Sequence, residues 1–132
     1  MQKLAKIRPE NQFCIDSVNV DPDIRFVGIL CKCGRLKAYH RKTNMIPQLN
    51  VPETKLVQRE ALLKAKMNGV FDKKLGKTKW SIELRENVKW ITIYFNRDLI
   101  LMSTEITSNH DKIIQETLSM LPLVSFWISE FI

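Results

Sequence analysis

Residues 51–75 read VPETKLVQREALLKAKMNGVFDKKL, and their reading as one long helix divides the chain into two blocks of strands. Asn50 precedes the run as a cap, with Glu53 three residues on and Pro52 in the first turn. Lys73, Lys74 and Leu75 followed by Gly76 make a plausible stop. At about 100° per residue, Leu56, Val57, Leu63, Met67, Val70, Phe71 and Leu75 share one broad apolar arc. Lys55, Arg59, Lys66 and Lys73 fall in a narrower arc of about 40° beside it. Only Glu60 with Lys64 offers an i,i+4 pair of opposite charge, so the stripe is poorly balanced from within the helix.

That imbalance extends to the surrounding sequence. The 132 residues carry a formal net charge of +7, unevenly placed. From Lys32 to Lys79 there are thirteen Lys and Arg against three acids, a surplus of +10, while the rest carries −3. A localised basic region suggests an acidic protein, a nucleic acid or an anionic surface as partner, against the plainer reading of a solvated face. With 45% apolar and 27% charged residues, the composition is that of a soluble globular domain. Four glycines are too few for several phosphate-binding loops. Cys14, Cys31 and Cys33, with no apolar segment following the charged residues 1–8, point to reduced thiols and a cytoplasmic location. No run approaches the twenty or so apolar residues that a membrane span requires.

Working outward from the helix, residues 24–31 form a strand apolar on both sides, with Ile24, Phe26 and Leu30 opposed to Val27, Ile29 and Cys31. Such a strand belongs inside a sheet covered on both faces. Cys33 and Gly34 turn the chain, and residues 35–40 return with charges that suit an edge. Beyond Gly76, residues 79–85 alternate Trp80, Ile82 and Leu84 with polar groups, as the other edge does. Residues 88–95 and 99–104 are apolar on both sides. Ser108, Asn109 and Asp111 announce a further helix, whose apolar face runs from Ile113 to Leu121. Pro122 opens a second short helix over 123–131, too apolar to be left in water. Residues 1–20 are a short helix or a loose lead-in, with Pro9 interrupting any long one.

The reading is therefore a single domain over 1–132, with a lead-in over 1–22, a core over 23–121 and an apolar extension over 122–132. Its class is α/β of the α+β type: a five-stranded antiparallel sheet with helices on both faces, in the order β-β-α-β-β-β-α. This order resembles the roadblock (dynein light chain) fold, a relative of profilin-like sheets. The stretches IRFVGI at 24–29, GRL at 34–36 and FDKKLG at 71–76 also resemble a family of uncharacterised archaeal proteins. Roadblock proteins are non-catalytic platforms for small GTPases or motor complexes, dimerising through the central helix and the strand after it. The resemblance implies a dimer surface of Leu56, Leu63, Val70, Lys79 and Ser81. Cys31-Lys32-Cys33 in place of acidic turn residues, and the apolar extension, depart from the common pattern.

Catalytic and metal chemistry find little support. In the hairpin, His40 lies about 13 Å along the return strand from the residue facing Cys31, so the three cysteines and His40 do not make a zinc site. His110 sits in a first helical turn beside Asp111, Ser103 and Ser108 lack a nucleophile elbow, and Glu83 and Glu86 read as solvated carboxylates. Trp80, Trp90 and Trp127 could stack on bases if exposed; for Trp80 a core position shared with Ile82 and Leu84 is the simpler reading. No catalytic residue, metal or cofactor is implied. The leading expectation is a homodimeric, non-enzymatic interaction module. Its stripe of Lys55, Arg59, Lys66 and Lys73 meets an acidic partner such as a small GTPase or regulatory subunit. The alternative class is a nucleic-acid-associated protein using the basic region 32–79 on phosphates.

Overall fold

The computed structural model describes residues 8–121. The elements are α1 (Pro9–Val18), β1 (Ile24–Cys31), β2 (Leu36–Arg41), α2 (Val51–Gly69), α3 (Asp72–Leu75), β3 (Trp80–Leu84), β4 (Lys89–Phe95), β5 (Asp98–Thr104) and α4 (His110–Met120). The five strands form one antiparallel sheet in the order β2-β1-β5-β4-β3. The two strands with wet faces, β2 and β3, are the edges. The three apolar on both sides, β1, β5 and β4, are interior, as two-sided burial demands. The second short helix expected over 123–131, Trp127, Leu4 and Ile7 lie outside the described residues.

The two faces are covered unequally. On one, α1 and α4 close over Val27, Ile29, Ile91, Ile93, Ile100 and Met102, joined by Phe13, Cys14, Val18, Ile113 and Ile114, all essentially inaccessible. On the other, α2 rests on Leu30, Leu99 and Leu101 through Ala61, Leu62 and Ala65, with Tyr94 beside them. Ile24 joins the first group rather than the side shared by Phe26 and Leu30, because a register shift between Ile24 and Phe26 against β5 turns it over.

Polar groups fasten the layers. Lys37 on β2 reaches Asp98 on β5 at 2.9 Å, both nearly buried, so an ion pair spans the intervening β1. The buried Lys89 ammonium donates to the Ser108 carbonyl at 2.8 Å and lies 3.1 Å from His110 Nδ1, tying the start of β4 to the start of α4. Asn109 caps α4, its side chain accepting from the Lys112 amide. Arg25 binds Glu105 at 2.7 Å and the Ile46 carbonyl at 2.9 Å, anchoring the loop before α2.

Several sequence expectations are corrected. Within the lead-in expected over 1–20, a short helix forms and Pro9 opens it: at the first helical position it loses no intrahelical hydrogen bond. The helix expected over 51–75 is two pieces. α2 ends at Gly69, where low helix propensity meets the poor formers Val70 and Phe71, and α3 is one turn closed at Gly76 with φ +81°. Cys31 and Cys33, expected as reduced thiols, are joined in a disulfide, since the turn brings their Cα atoms to 5.0 Å. Cys14 alone is free, and it is buried. Among the described residues no helix is long and apolar enough to cross a membrane.

Gly28 shows how tightly the α2 side of β1 is fitted. A Cβ there would meet the Phe26 ring at 2.9 Å and Leu36 Cδ1 at 3.3 Å. Gly28→Ala should therefore cost about 1–3 kcal/mol in denaturant unfolding. Cys14 gives a second prediction. Burial, and next the Glu10 carboxylate, push its thiol from 9.0 up to about 12. A folded pKa above the unfolded one means this contribution is complete below pH 9 and is lost as pH rises towards 12. The thiol should resist Ellman's reagent at pH 8 until the protein unfolds. Cys14→Ala should flatten the fall of stability above pH 9.

Candidate functional site

The surface that sequence singled out lies on α2, and its residues divide into longitudinal strips. The inward strip is Thr54, Val57, Gln58, Ala61, Leu62, Ala65 and Asn68, all half-buried; no α2 residue is fully buried. The helix begins with a complete capping box: the Asn50 side chain accepts from the Glu53 amide, and the Glu53 carboxylate accepts from the Asn50 amide. Directly away from the sheet stand Leu56, Leu63, Met67 and Val70, from 57 to 78% exposed. Phe71 and Leu75 continue the exposed apolar surface onto α3.

One flank of α2 faces β3 and β4 across an open groove of about 1000 Å³. Val57, Ala61, Leu101, Trp90 and Tyr94 supply apolar walls. Three polar links hold helix to sheet around it. Gln48 donates to the Asn87 carbonyl at 3.1 Å, Lys64 meets Glu83 at 2.7 Å, and Asn68 donates to the Tyr94 hydroxyl at 3.1 Å. Lys64 also pairs with Glu60 at 3.0 Å, and Arg85 meets Glu83 at the same distance. Hydrogen bonding to Glu83 and then Glu60 raises the Lys64 ammonium, and the Lys64 bond lowers the Glu83 carboxyl. Glu83, expected as simply solvated, is thus the sheet's handle on α2; its role depends on a long-range pairing that local spacing does not reveal.

The opposite flank carries the cations. Lys55, Arg59 and Lys66 are exposed and make no ion pair among the described residues. Because Glu60, Lys64 and Asn68 face β3 and β4, the turn angle of about 100° per residue sets these three over the β1–β2 side. Lys73 is exposed too, but lies on α3 beyond the break, so the stripe is continuous for three residues and resumes after an interruption. Lys79 and Ser81 are exposed at the β3 edge, away from this stripe and near the groove.

The remaining candidates are placed as follows. Trp80 shares its side of β3 with Ile82 and Leu84, but Trp80 is 40% and Leu84 67% exposed, so neither sits in the core as expected. Trp90 lines the groove. His110 stands at the start of α4, 3.8 Å from Asp111 and in contact with Lys89. The disulfide engages both hairpin cysteines with each other. Among the described residues no group of three His, Cys, Asp or Glu side chains is positioned for a metal ion. One feature missed in the sequence is the stack on β1 and β2, where the Phe26 ring lies 6.0 Å from Tyr39 and the Arg41 guanidinium sits 5.3 Å over Phe26. Its components are on different strands, so only the register Phe26–Arg41 and Gly28–Tyr39 brings them together.

Comparison with known proteins places this geometry. No curated protein matches the chain in sequence. Among solved structures, MglB of Myxococcus xanthus is similar with a TM-score of 0.72 and 11% identity, over 97% of this chain and 100% of that one. An MglB with a tetrameric arrangement gives 0.71 and 11%, over 92% and 93%. A Roadblock/LC7 domain of Streptomyces avermitilis gives 0.64 and 9%, over 87% and 97%. At such identities the likeness is one of fold: the sheet and its helices are roadblock-like. Residues 5–125 match a family described as of unknown function, DUF6659, and the chain, with its roadblock-like fold, belongs to that family.

Proposed function

We propose that the protein is a non-enzymatic, homodimeric interaction module of the cytoplasm, whose dimer surface is α2 with β3. The observation that carries this reading is the exposed apolar ridge of Leu56, Leu63, Met67 and Val70, standing on a helix that buries none of its residues fully. A ridge of that kind calls for a partner surface. A second copy fits because β3 is, among the described residues, an unpaired sheet edge and lies on the same side as the groove. Pairing β3 with its symmetry mate through Lys79 and Ser81 continues the sheet and brings the two α2 helices alongside one another. The groove is then closed from outside and Leu56, Leu63 and Val70 lose contact with water. The tetrameric arrangement of a similar MglB supports self-association through this fold.

In that dimer the strip of Lys55, Arg59 and Lys66 lies on the flank of α2 remote from β3, with Lys73 beyond it, and stays available to an anionic partner. Unpaired lysines and arginine on one flank favour an anionic surface for a simple reason: each like-charge neighbour costs a few tenths of a kcal/mol until an external anion offsets it.

Light scattering should give twice the protomer mass of 15.5 kDa. The double variant Leu56→Asp/Leu63→Asp should run at the single mass with its circular dichroism intact, and Ser81→Pro, which removes a donor from the edge, should weaken the dimer. A wild-type protein that stays monomeric at about 100 μM, well above the micromolar dissociation constants common for specific pairs, would defeat the reading. Reversing Lys55, Arg59, Lys66 and Lys73 to Glu should abolish binding of the anionic partner and leave the mass of the dimer unchanged.

A further inference from the structure

The basic flank of α2 faces a second feature that the dimer leaves free. On the α2 side of β1 and β2, Phe26 is buried to 7% exposure while Tyr39, stacked on it with an interplanar angle of 26°, is 60% exposed. Arg41 lies over the Phe26 ring and has no acidic partner among the described residues. The other cations nearby are already matched, Lys37 by Asp98 and Arg25 by Glu105. Thr54, in the first turn of α2, and Leu49 before it share a small depression with Phe26 and Arg41, so the basic flank begins beside them at Lys55 and, by the turn angle of the helix, continues through Arg59 and Lys66. The strip between α2 and β2 is therefore bounded by Lys55, Arg59 and Lys66 on one wall and by Arg41 and Tyr39 on the other.

We propose that this strip binds single-stranded nucleic acid, with Tyr39 as the stacking platform and Lys55, Arg59, Lys66 and Arg41 on phosphates. The proposal rests on the reading of the stripe as an anion-binding surface and is independent of the dimer. Three observations favour a nucleic acid over an acidic protein segment. Tyr39 presents a ring to solvent that is supported from behind by Phe26, so a base can stack without first ordering the aromatic. Arg41 is steadied by its contact with the Phe26 ring and pairs with no acid among the described residues, leaving it available to a phosphate. Lys55, Arg59 and Lys66 extend over roughly 16 Å of helix at about 1.5 Å per residue, a length that spans two to three nucleotides of an extended strand. An acidic peptide would use the cations but gains nothing from an exposed ring. Duplex DNA would find a narrow strip beside a helix rather than a convex surface with access to a groove.

The test is fluorescence anisotropy of labelled 12-mers of deoxythymidine and uridine with the full chain, between 50 and 300 mM salt. Binding should weaken with salt at a slope of about −0.7 per neutralised phosphate, and the triple charge reversal of Lys55, Arg59 and Lys66 should remove roughly two units of that slope. Tyr39→Ala should weaken binding about tenfold with the slope unchanged, and Tyr39→Trp should retain it, which separates stacking from any damage to the sheet. The monomeric variant Leu56→Asp/Leu63→Asp should still bind, since each strip belongs to one protomer; its failure to dimerise and a failure to bind are read independently. Absence of binding at 50 mM salt overturns the proposal. So does a Tyr39→Ala protein that binds like wild type. Polyglutamate that binds more tightly than either oligomer, with no effect of Tyr39→Ala, overturns it in favour of an acidic protein surface.

Discussion

This fold is organised by the need to bury β1 and β5 on both sides at once. Their side chains point apolar groups up and down in alternation, so neither face of the sheet can be left to water. The two covers nevertheless differ in kind. Beneath the sheet, α1 and α4 interlock with isoleucines and Met102 to give a continuous, fully inaccessible layer. Above it, the buried residues that α2 meets are Leu30, Leu99 and Leu101, which it covers through two alanines and Leu62. Small inward residues let the helix approach the middle of the sheet while leaving a groove along β3 and β4. The apolar surplus that other helices spend on the core is placed by α2 on its outer side.

This arrangement gives one helix three separate uses. Its inward strip covers the sheet, its outward ridge offers apolar contact, and its two flanks carry opposite electrostatic characters. On the flank towards β3 the helix's cation is matched, Lys64 by Glu60 and Glu83, and Arg85 in turn meets Glu83. On the other flank Lys55, Arg59 and Lys66 are unmatched. The charge surplus of the region is thus sorted by the helix into a neutral side and a positive side, a distinction that net charge alone conceals.

Most of the framework was legible in the sequence because it depends on periods of two and on local caps. Alternation separates the edge strands β2 and β3 from the interior ones, Asn50 with Glu53 marks the start of α2, and the run from Ser108 to Asp111 marks that of α4 to within a residue, the cap being Asn109. Features set by longer-range geometry were not legible. The bulge that turns Ile24 over requires knowledge of its partner strand. The end of α2 at Gly69 was masked because the apolar spacing continues through Val70 and Phe71 as if the helix went on. The exposed aromatic of the α2–β2 strip is split between strands, and Tyr39 alone on an edge strand carries no signal. For the candidate surface, residue types on α2 could be read from spacing. Which flank faces which strand needed Lys64, Glu83 and Asn68 in three dimensions.

The mode by which α2 is fastened also bears on how the molecule moves. A helix seated by deep burial can leave only when the core opens. Here no α2 side chain is fully buried, and the helix is pinned at intervals by Gln48 to Asn87, Lys64 to Glu83 and Asn68 to Tyr94. Links of this sort contribute little each, and the ionic one, Lys64 to Glu83, is weakened by salt. Fastening of this kind favours local opening of α2 ahead of β1 and β5, which lie buried on both faces. Whatever settles on its outer ridge acts on this hinge as well: by holding α2 down it closes a low-lying excursion, so that occupancy of the surface is read out as rigidity of the layer beneath.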